Sequence, residues 1–146
     1  MAINLVRRSL DTWNPGEFSG TFRGNNLAFR TSATMLSHYW SDSTLEKNTE
    51  LFGHTTRTAL ASMAENFGAG AFDVRGNGML NGLEVRETEL ATAISRHAFE
   101  RGLIVETCGP GDTVVKLLTP LVIEPAQLDD GLNRLALAVE QATAAR

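Results

Sequence analysis

The sequence predicts an α+β fold, in which antiparallel strands pair in a sheet and helices pack beside it. Two pairs of short apolar runs are each joined by a glycine-containing turn, at residues 75–78 and 108–112, which is typical of β-hairpins. Four other segments repeat apolar residues at helical spacing and lie before, between and after those pairs. Hairpins separated by helices build antiparallel sheets, so this order favours an α+β domain over a parallel sheet.

The length and composition are those of an ordinary globular protein. A chain of 146 residues forms one domain or a piece of a larger one, and 42% of its residues are hydrophobic and 21% charged. The formal net charge of −4 argues against nucleic acid or an anionic membrane surface as a partner. No apolar stretch approaches the ~20 residues that span a bilayer, and residues 1–13 lack the apolar core of a secretory leader. Since the single cysteine, Cys108, fits a reducing compartment, we expect a cytoplasmic protein without a membrane or nucleic-acid partner.

The N-terminal segment is predicted to be a strand followed by a long loop. Residues 2–6 form a short apolar run before two arginines, and residues 11–26 are rich in glycine, proline, asparagine, serine and threonine. A strand at the very start of the chain suggests that structure preceding it is missing. Loops this long without structure of their own are usually functional or disordered.

The other elements are two helices, then hairpins alternating with helices. Ser43 and Glu46 have the spacing of a capping box at the start of the second helix. The dipeptide Asn77-Gly78 is a strong hairpin-turn signal, and Pro125 opens a final helix with an apolar stripe. In chain order we predict helices over residues 27–39 and 43–67, strands over 71–74 and 79–85, a helix over 87–101, strands over 103–107 and 113–119, and a last helix from residue 125.

A glycine-containing segment, GTFRGNN at residues 20–26, directly precedes the first predicted helix. Backbone amides in such a turn at a helix N-terminus bind anions, and the hydroxyl of Thr21, next to Gly20, adds a donor. Arg23 adds a charge suited to a phosphate or a carboxylate. The alternative is a plain turn with an N-cap, and the residues alone leave both interpretations open. The segment is not a P-loop, because the Lys-Ser/Thr pair that reaches terminal phosphates is missing.

The chain has only two lysines, Lys47 and Lys116. Lys47 falls on a charged helix face and is expected in solvent. Lys116 interrupts the apolar run VVKLL, so it either occupies a solvent-facing strand position or points its ammonium at an anionic ligand. The sequence does not decide between these two interpretations.

Other chemistry-bearing residues favour structural roles. The three histidines, His38, His54 and His97, lie on different predicted helices without ligand spacing, so we expect no metal site. Cys108 lies in a glycine- and proline-containing turn without a basic neighbour in sequence. We therefore expect an exposed thiol that is not a nucleophile.

Five segments together resemble a known family. They are residues 10–17, 20–29, 75–79, 98–107 and 114–121. In this order they resemble the class III pyridoxal-phosphate aminotransferases, over essentially the whole chain. The run TFRGNN is rather specific to the diaminobutyrate–2-oxoglutarate transaminase group of that family, which is known from ectoine biosynthesis.

The resemblance implies the α/β fold of the type I pyridoxal-phosphate transferases, of which this chain would be the C-terminal third. Residues 1–26 would then hold the end of a large-domain strand and the cofactor-phosphate loop. Residues 27–67 would form the interdomain helices, and residues 68–146 the small C-terminal α+β domain.

The resemblance also implies a cofactor, pyridoxal 5'-phosphate, and a homodimer. Gly20 and Thr21 match the segment that binds the cofactor phosphate of the neighbouring subunit. Lys116 falls where the wider family often places an arginine that holds a substrate carboxylate, and we assign Arg23 with it to substrate binding. The reaction would move the terminal amino group of 2,4-diaminobutyrate to the 2-oxo acid 2-oxoglutarate.

The same resemblance places the catalytic lysine outside this chain. The Schiff-base lysine and the residues that contact the cofactor ring would precede residue 1, and neither Lys47 nor Lys116 matches them. Since transamination needs that amine, we expect no catalytic residue here and no activity of this chain alone. Its partner would be a second copy or a missing N-terminal half. The alternative is a non-catalytic interaction or self-association module, because an isolated small domain exposes apolar surface.

Overall fold

The computed structural model describes residues 3–67 and 70–144. The chain divides into two compact units, Met1–Thr44 and Leu45–Arg146. Gly68, which directly follows the second predicted helix, lies outside the described residues. No helix within the described ranges is long and apolar enough to cross a membrane.

The first unit contains one long helix and little other regular structure. A single 3-10 turn, Arg8–Leu10, precedes helix α1, Asn26–Tyr39, which confirms the helix predicted over residues 27–39. Residues 3–6 lie in no strand, because a strand needs a hydrogen-bonded neighbour and the described residues offer them none. The predicted strand is therefore wrong for these residues, and Ala2 lies outside the described part of the chain.

None of the described residues of the first unit is buried. Helix α1 buries no side chain, and the exposed fractions of Leu5, Phe22 and Leu27 are 95%, 92% and 78%. Helix formation is instead supported locally, since the Asn25 side chain accepts a hydrogen bond from the Ala28 amide at 3.0 Å. The unit therefore lacks an apolar core of its own.

The second unit is an α+β domain, as predicted. Its sheet has the order β1-β2-β4-β3, and all neighbouring strands are antiparallel. The elements are α2 (Thr44–Phe67), β1 (Phe72–Asn77), β2 (Leu80–Val85), α3 (Thr88–Glu100), β3 (Glu106–Cys108), β4 (Val114–Leu118) and α4 (Pro125–Ala144). Helix α2 begins beside Asp42, whose carboxylate accepts a hydrogen bond from the Thr44 amide at 2.8 Å.

Both predicted hairpins are present, but the first turns later than predicted, because residues 75–77 belong to β1. The β1–β2 loop is two residues long, with Asn77 paired to Leu80, and Gly78 has a positive φ of 53° that suits this tight turn. The second hairpin is shorter than predicted, because residues 103–105 do not pair and β3 begins only at Glu106. Its connection contains a 3-10 turn, Pro110–Asp112.

The core lies between one face of the sheet and the helices. Leu83 and Val115, paired across β2 and β4, are both fully buried. The predicted apolar stripes of α3 and α4 pack into the same cluster. It includes Leu90, Ala91 and Ile94 of α3, and Leu128, Leu132, Leu135, Val139 and Ala142 of α4.

Helix α2 approaches the first hairpin through a glycine. Gly53 is buried in the middle of α2, and a Cβ built there would overlap the carbonyl of Gly78 in the hairpin turn. The absence of a side chain thus lets the helix backbone and the turn backbone come into contact.

Candidate functional site

The face of the sheet opposite the core carries a row of four residues across all four strands. Gly82 pairs with Arg75 on one side and with Lys116 on the other, and Lys116 pairs with Glu106. Residues paired across strands share a face, and successive residues of a strand alternate between faces. Because Val115 belongs to the core, its neighbour Lys116 and the rest of this row lie on the opposite face, which we call the open face.

On the open face Lys116 forms an ion pair with Glu106. The Lys116 Nζ atom donates to Glu106 Oε2 at 2.8 Å, and the two side chains are 30% and 72% exposed. The hydrogen bond and the charge of Lys116 hold the pKa of the Glu106 carboxyl below its usual value, and the same contacts raise the pKa of Lys116. Lys116 is therefore a charged ammonium that points along an exposed sheet face.

Gly82 leaves Lys116 with a single charged cross-strand neighbour. A Cβ at Gly82 would lie 2.7 Å from Val114 Cγ1, so the position has no room for a side chain. The next cation in the row, Arg75, has its own carboxylate partner in Glu84. The open face thus carries two separate ion pairs with a glycine between them.

The predicted anion loop forms a tight turn before α1. The Arg23 amide donates to the Gly20 carbonyl at 3.0 Å, and residues 20–25 line a concavity of about 780 Å³ together with Ala28 and Phe29. The Thr21 hydroxyl is exposed and makes no hydrogen bond within the described ranges. The N-cap interpretation of this segment is correct in part, since the Asn25 side chain caps α1, while the Thr21 hydroxyl remains available to a ligand.

Arg23 is held by a neighbouring aromatic residue. Its guanidinium carbon lies 3.7 Å from the centre of the Phe18 ring, and its Nη1 donates to the Phe18 carbonyl at 3.3 Å. A cation over an aromatic face in this range is a cation–π contact. Arg23 shares its loop with Gly20 and Thr21, whereas Lys116 belongs to the second unit. The assignment of Arg23 to substrate binding stays a prediction.

His97 and His38, for which the sequence favours structural roles, contact neighbouring residues of their own helices. His97 is buried on α3, where its Nδ1 lies 2.9 Å from Glu100 Oε2. His38 stacks edge-on against the Tyr39 ring. Among the described residues, no group of three His, Cys, Asp or Glu side chains is arranged to hold a metal. Cys108 is half-buried on β3, so the prediction of an exposed thiol is wrong, because residue 108 belongs to a paired strand and not to the turn.

Glu106 is the candidate residue that sequence reasoning missed. The observed register pairs Thr107 with Val115 and so sets Glu106 opposite Lys116. Closing the hairpin at residues 107 and 113, as predicted, would instead place Ile104 opposite the lysine. Both registers leave a five-residue connection, residues 109–113 as observed and 108–112 as predicted, so the length of the connection does not decide the pairing.

Comparison with known proteins identifies relatives over nearly the whole chain. The sequence profile of the family described as aminotransferase class-III matches residues 2–139. A diaminobutyrate–2-oxoglutarate transaminase of Streptomyces avermitilis is 46% identical over 142 residues, which are 97% of this chain and 34% of that protein. One of Virgibacillus pantothenticus is 39% identical over 140 residues, 96% of this chain and 34% of that protein. The chain spans about a third of the length of the curated relatives that it matches.

Solved structures share the fold. The ornithine aminotransferase of Toxoplasma gondii superimposes with a TM-score of 0.79 at 23% identity, over 92% of this chain and 31% of that one. An acetylornithine aminotransferase of Elizabethkingia anophelis gives a TM-score of 0.72 at 26% identity, over 88% of this chain and 33% of that one. The α+β architecture described above is thus a recurring part of larger folds.

Proposed function

Because this chain belongs to the class-III aminotransferases, we propose that it is the C-terminal part of a transaminase acting on 2,4-diaminobutyrate and 2-oxoglutarate. The observation that carries the proposal is the 39–46% identity to diaminobutyrate–2-oxoglutarate transaminases over at least 96% of the chain. In this reaction the terminal amine of the donor leaves as the amino group of glutamate, and the donor carbon becomes an aldehyde. We also propose the cytoplasm as its location.

We assign the binding of the cofactor phosphate to Gly20 and Thr21. Pyridoxal phosphate supplies an electron sink for the substrate carbon when it is bound. The donors of the loop suit the phosphate, since the exposed Thr21 lines the same concavity as Asn25 and Ala28 at the N-terminus of α1. These residues would contact the cofactor of the neighbouring subunit in a homodimer, and the large exposed apolar side chains of the first unit support such an association.

We assign the binding of a substrate carboxylate to Lys116. Its position on the open face and its full charge support this role, although the ammonium offers a point charge rather than the two-pronged contact of an arginine. Arg23 is the second candidate, since its guanidinium lies over the Phe18 ring and only its Nη1 donates to the Phe18 carbonyl, which leaves other N–H donors for a carboxylate.

We further propose that these residues alone do not catalyse transamination. A Schiff base needs a neutral lysine amine, and the chain has only Lys47 and Lys116. Lys47 is an exposed residue of α2, and Lys116 is held protonated by Glu106. Borohydride reduction with pyridoxal phosphate, followed by mass mapping, is expected to give no site-specific adduct. A single stoichiometric adduct with turnover would contradict this.

The reaction is tested in a hybrid enzyme. Residues 1–146 replace the matching third of the Streptomyces avermitilis relative, and glutamate formation from 2,4-diaminobutyrate and 2-oxoglutarate is measured. We expect turnover that needs both substrates and the cofactor. A folded, cofactor-bound hybrid that turns over other amino donors but not diaminobutyrate would contradict the proposed substrate.

The cofactor-phosphate role is tested by substitutions in the same hybrid. Thr21→Val removes the hydroxyl at nearly constant volume, and we expect the dissociation constant of pyridoxal phosphate to rise about tenfold, the value of one hydrogen bond to a charged group. Thr21→Ser keeps the hydroxyl and should bind almost normally. Thr34→Val is the matched control, because the Thr34 hydroxyl bonds only to the Arg30 carbonyl of its own helix.

A second candidate function, self-association without catalysis, is favoured by the exposed apolar side chains of the first unit. Leu5, Phe22 and Leu27 face solvent almost entirely. Sedimentation of the chain without cofactor separates the two functions. Strong concentration-dependent oligomers together with an inactive hybrid would favour the interaction module, whereas an active hybrid favours the transaminase.

A further inference from the structure

The open face presents two opposite charges side by side at Lys116 and Glu106. Their side chains meet at 2.8 Å through one carboxylate oxygen, Glu106 Oε2. The other oxygen, Oε1, accepts no hydrogen bond from any residue in the described ranges, and the glutamate side chain is 72% exposed. A ligand that approaches the lysine on this face therefore also meets a carboxylate with free acceptor capacity.

The two substrates of the proposed reaction are alike in one respect. In 2,4-diaminobutyrate the reacting carbon is C4, and the carboxylate carbon C1 lies three bonds away. In 2-oxoglutarate the reacting carbon is C2, and the carboxylate carbon C5 also lies three bonds away. One cation at a fixed distance from the reacting carbon therefore suits a carboxylate of either substrate.

The substrates differ at the atom next to that carboxylate. Diaminobutyrate carries its α-ammonium there, whereas 2-oxoglutarate has a methylene group. A carboxylate beside the cation would therefore attract the first substrate and gain nothing from the second. The sheet register supplies such a carboxylate, because Glu106 is the direct cross-strand partner of Lys116.

Building on the proposed function, we propose that Glu106 binds the α-ammonium of the diamino acid while Lys116 holds its α-carboxylate. The pair then recognises the α-amino acid head group and leaves the terminal amine free to react. Binding exchanges one ion pair for two and alternates the four charges, so neither protein charge is left without a partner. Gly82, on the other side of Lys116, adds no competing side chain.

The test compares two amino donors in the hybrid enzyme. 4-Aminobutyrate is diaminobutyrate without the α-ammonium, with the carboxylate the same three bonds from the reacting carbon. We expect Glu106→Gln to lower the ratio of kcat/KM for diaminobutyrate over 4-aminobutyrate about tenfold, the value of one charge-assisted hydrogen bond. Because both donors report on the same preparation, partial misfolding cancels in the ratio.

The Michaelis constants provide a second readout. Glu106→Gln should raise KM for diaminobutyrate but leave KM for 2-oxoglutarate equal or lower, since Lys116 loses a competing carboxylate. Glu106→Asp should restore part of the donor preference. Glu84→Gln is the matched control, because Glu84 pairs with Arg75 on the same face but not with Lys116.

Reactivity of the lysines checks the ion pair without catalysis. Acylation of Lys116, measured by mass spectrometry relative to Lys47 in the chain, should become about threefold faster in Glu106→Gln, since loss of the charge-assisted hydrogen bond frees the amine. An active hybrid whose donor ratio is unchanged by Glu106→Gln would overturn the inference while the proposed function stands. An inactive wild-type hybrid would overturn the proposed function, and this inference with it.

Discussion

Two regions of the molecule differ in what their apolar side chains do. In residues 3–44 none is buried, and helix α1 carries Leu27, Met35 and Leu36 on its surface. In residues 45–144 helices α3 and α4 bury theirs against Leu83 and Val115 of the sheet. Apolar side chains thus stabilise the second region by burial, whereas those of the first region stay exposed and add no such stabilisation.

The difference shows where the fold of this chain draws its stability. Burial of apolar surface contributes roughly 25 cal/mol per Å², so the second region can order itself cooperatively. The first region relies on local contacts such as the Asn25 cap and the stacking of Arg23 on Phe18. Its exposed side chains are free to pack against another protein surface, which fits the homodimer proposed above.

The largest expected effect is in proteolysis. Arg30 in α1 and Arg96 in α3 are both exposed residues in helices, but only α3 contributes to a core. We expect trypsin to cleave after Arg30 at least about tenfold faster, since helices without buried contacts open at little cost. Mass spectrometry of early digestion products checks this. Cleavage after Arg96 before cleavage after Arg30 would contradict the expected difference in local stability between the two regions.

Truncating a buried side chain of the second region should lower the free energy of unfolding by several kcal/mol more than truncating an exposed side chain of the first region. Ile94 is fully buried on α3, and Ile94→Ala is expected to lower the free energy of unfolding by about 2–5 kcal/mol. Leu27→Ala, at a residue 78% exposed, should change it by less than about 0.5 kcal/mol. Urea denaturation followed by circular dichroism measures both. Equal losses would show that α1 is buried in solution.

Replacing each of two helical glycines of the second region by alanine should change the free energy of unfolding in opposite directions. Gly53→Ala forces a Cβ into the Gly78 carbonyl, and we expect a loss of about 1–3 kcal/mol in unfolding free energy. At Gly131 in α4 a Cβ would make only an ordinary 3.8 Å contact with Leu103 Cδ1, so Gly131→Ala should stabilise by up to about 1 kcal/mol. Chemical denaturation of both variants measures the two changes in unfolding free energy. A stabilising Gly53→Ala would contradict the close approach of α2 to the hairpin.

The smallest effect is expected from pH. Because the folded-state pKa of Glu106 is lowered, its stabilising contribution is present above the unfolded pKa near 4.5 and is lost as pH falls through the folded value. The raised pKa of Lys116 makes its contribution full below 10.5 and lost as pH rises through its folded value.

The wild-type chain should therefore lose slightly more stability below pH 4.5 than Glu106→Gln does. The measurement is the urea midpoint of the two chains between acidic and neutral pH. Glu140→Gln, which removes an exposed carboxylate of α4, is the control for the loss of charge alone. Parallel curves for wild type and Glu106→Gln would show that the ion pair is not formed in solution.

Features set by local signals were predictable from the sequence. The first hairpin follows from Asn77-Gly78, and α4 follows from Pro125 and its apolar stripe, because both depend on residues close in the chain. The strand expected at residues 2–6 is absent at residues 3–6, because a strand depends on a partner that the sequence does not display. Thr21 and Lys116 could be predicted from the sequence as candidate site residues and that assignment stays a prediction, whereas Glu106 could not, because its place beside Lys116 depends on the hairpin register.

The central claim is most directly tested by the amino-donor assay on the hybrid enzyme that carries residues 1–146. The account predicts glutamate formation from 2,4-diaminobutyrate and 2-oxoglutarate, with a preference over 4-aminobutyrate that falls about tenfold in Glu106→Gln. A correctly folded, cofactor-bound hybrid that forms no glutamate from diaminobutyrate would contradict it.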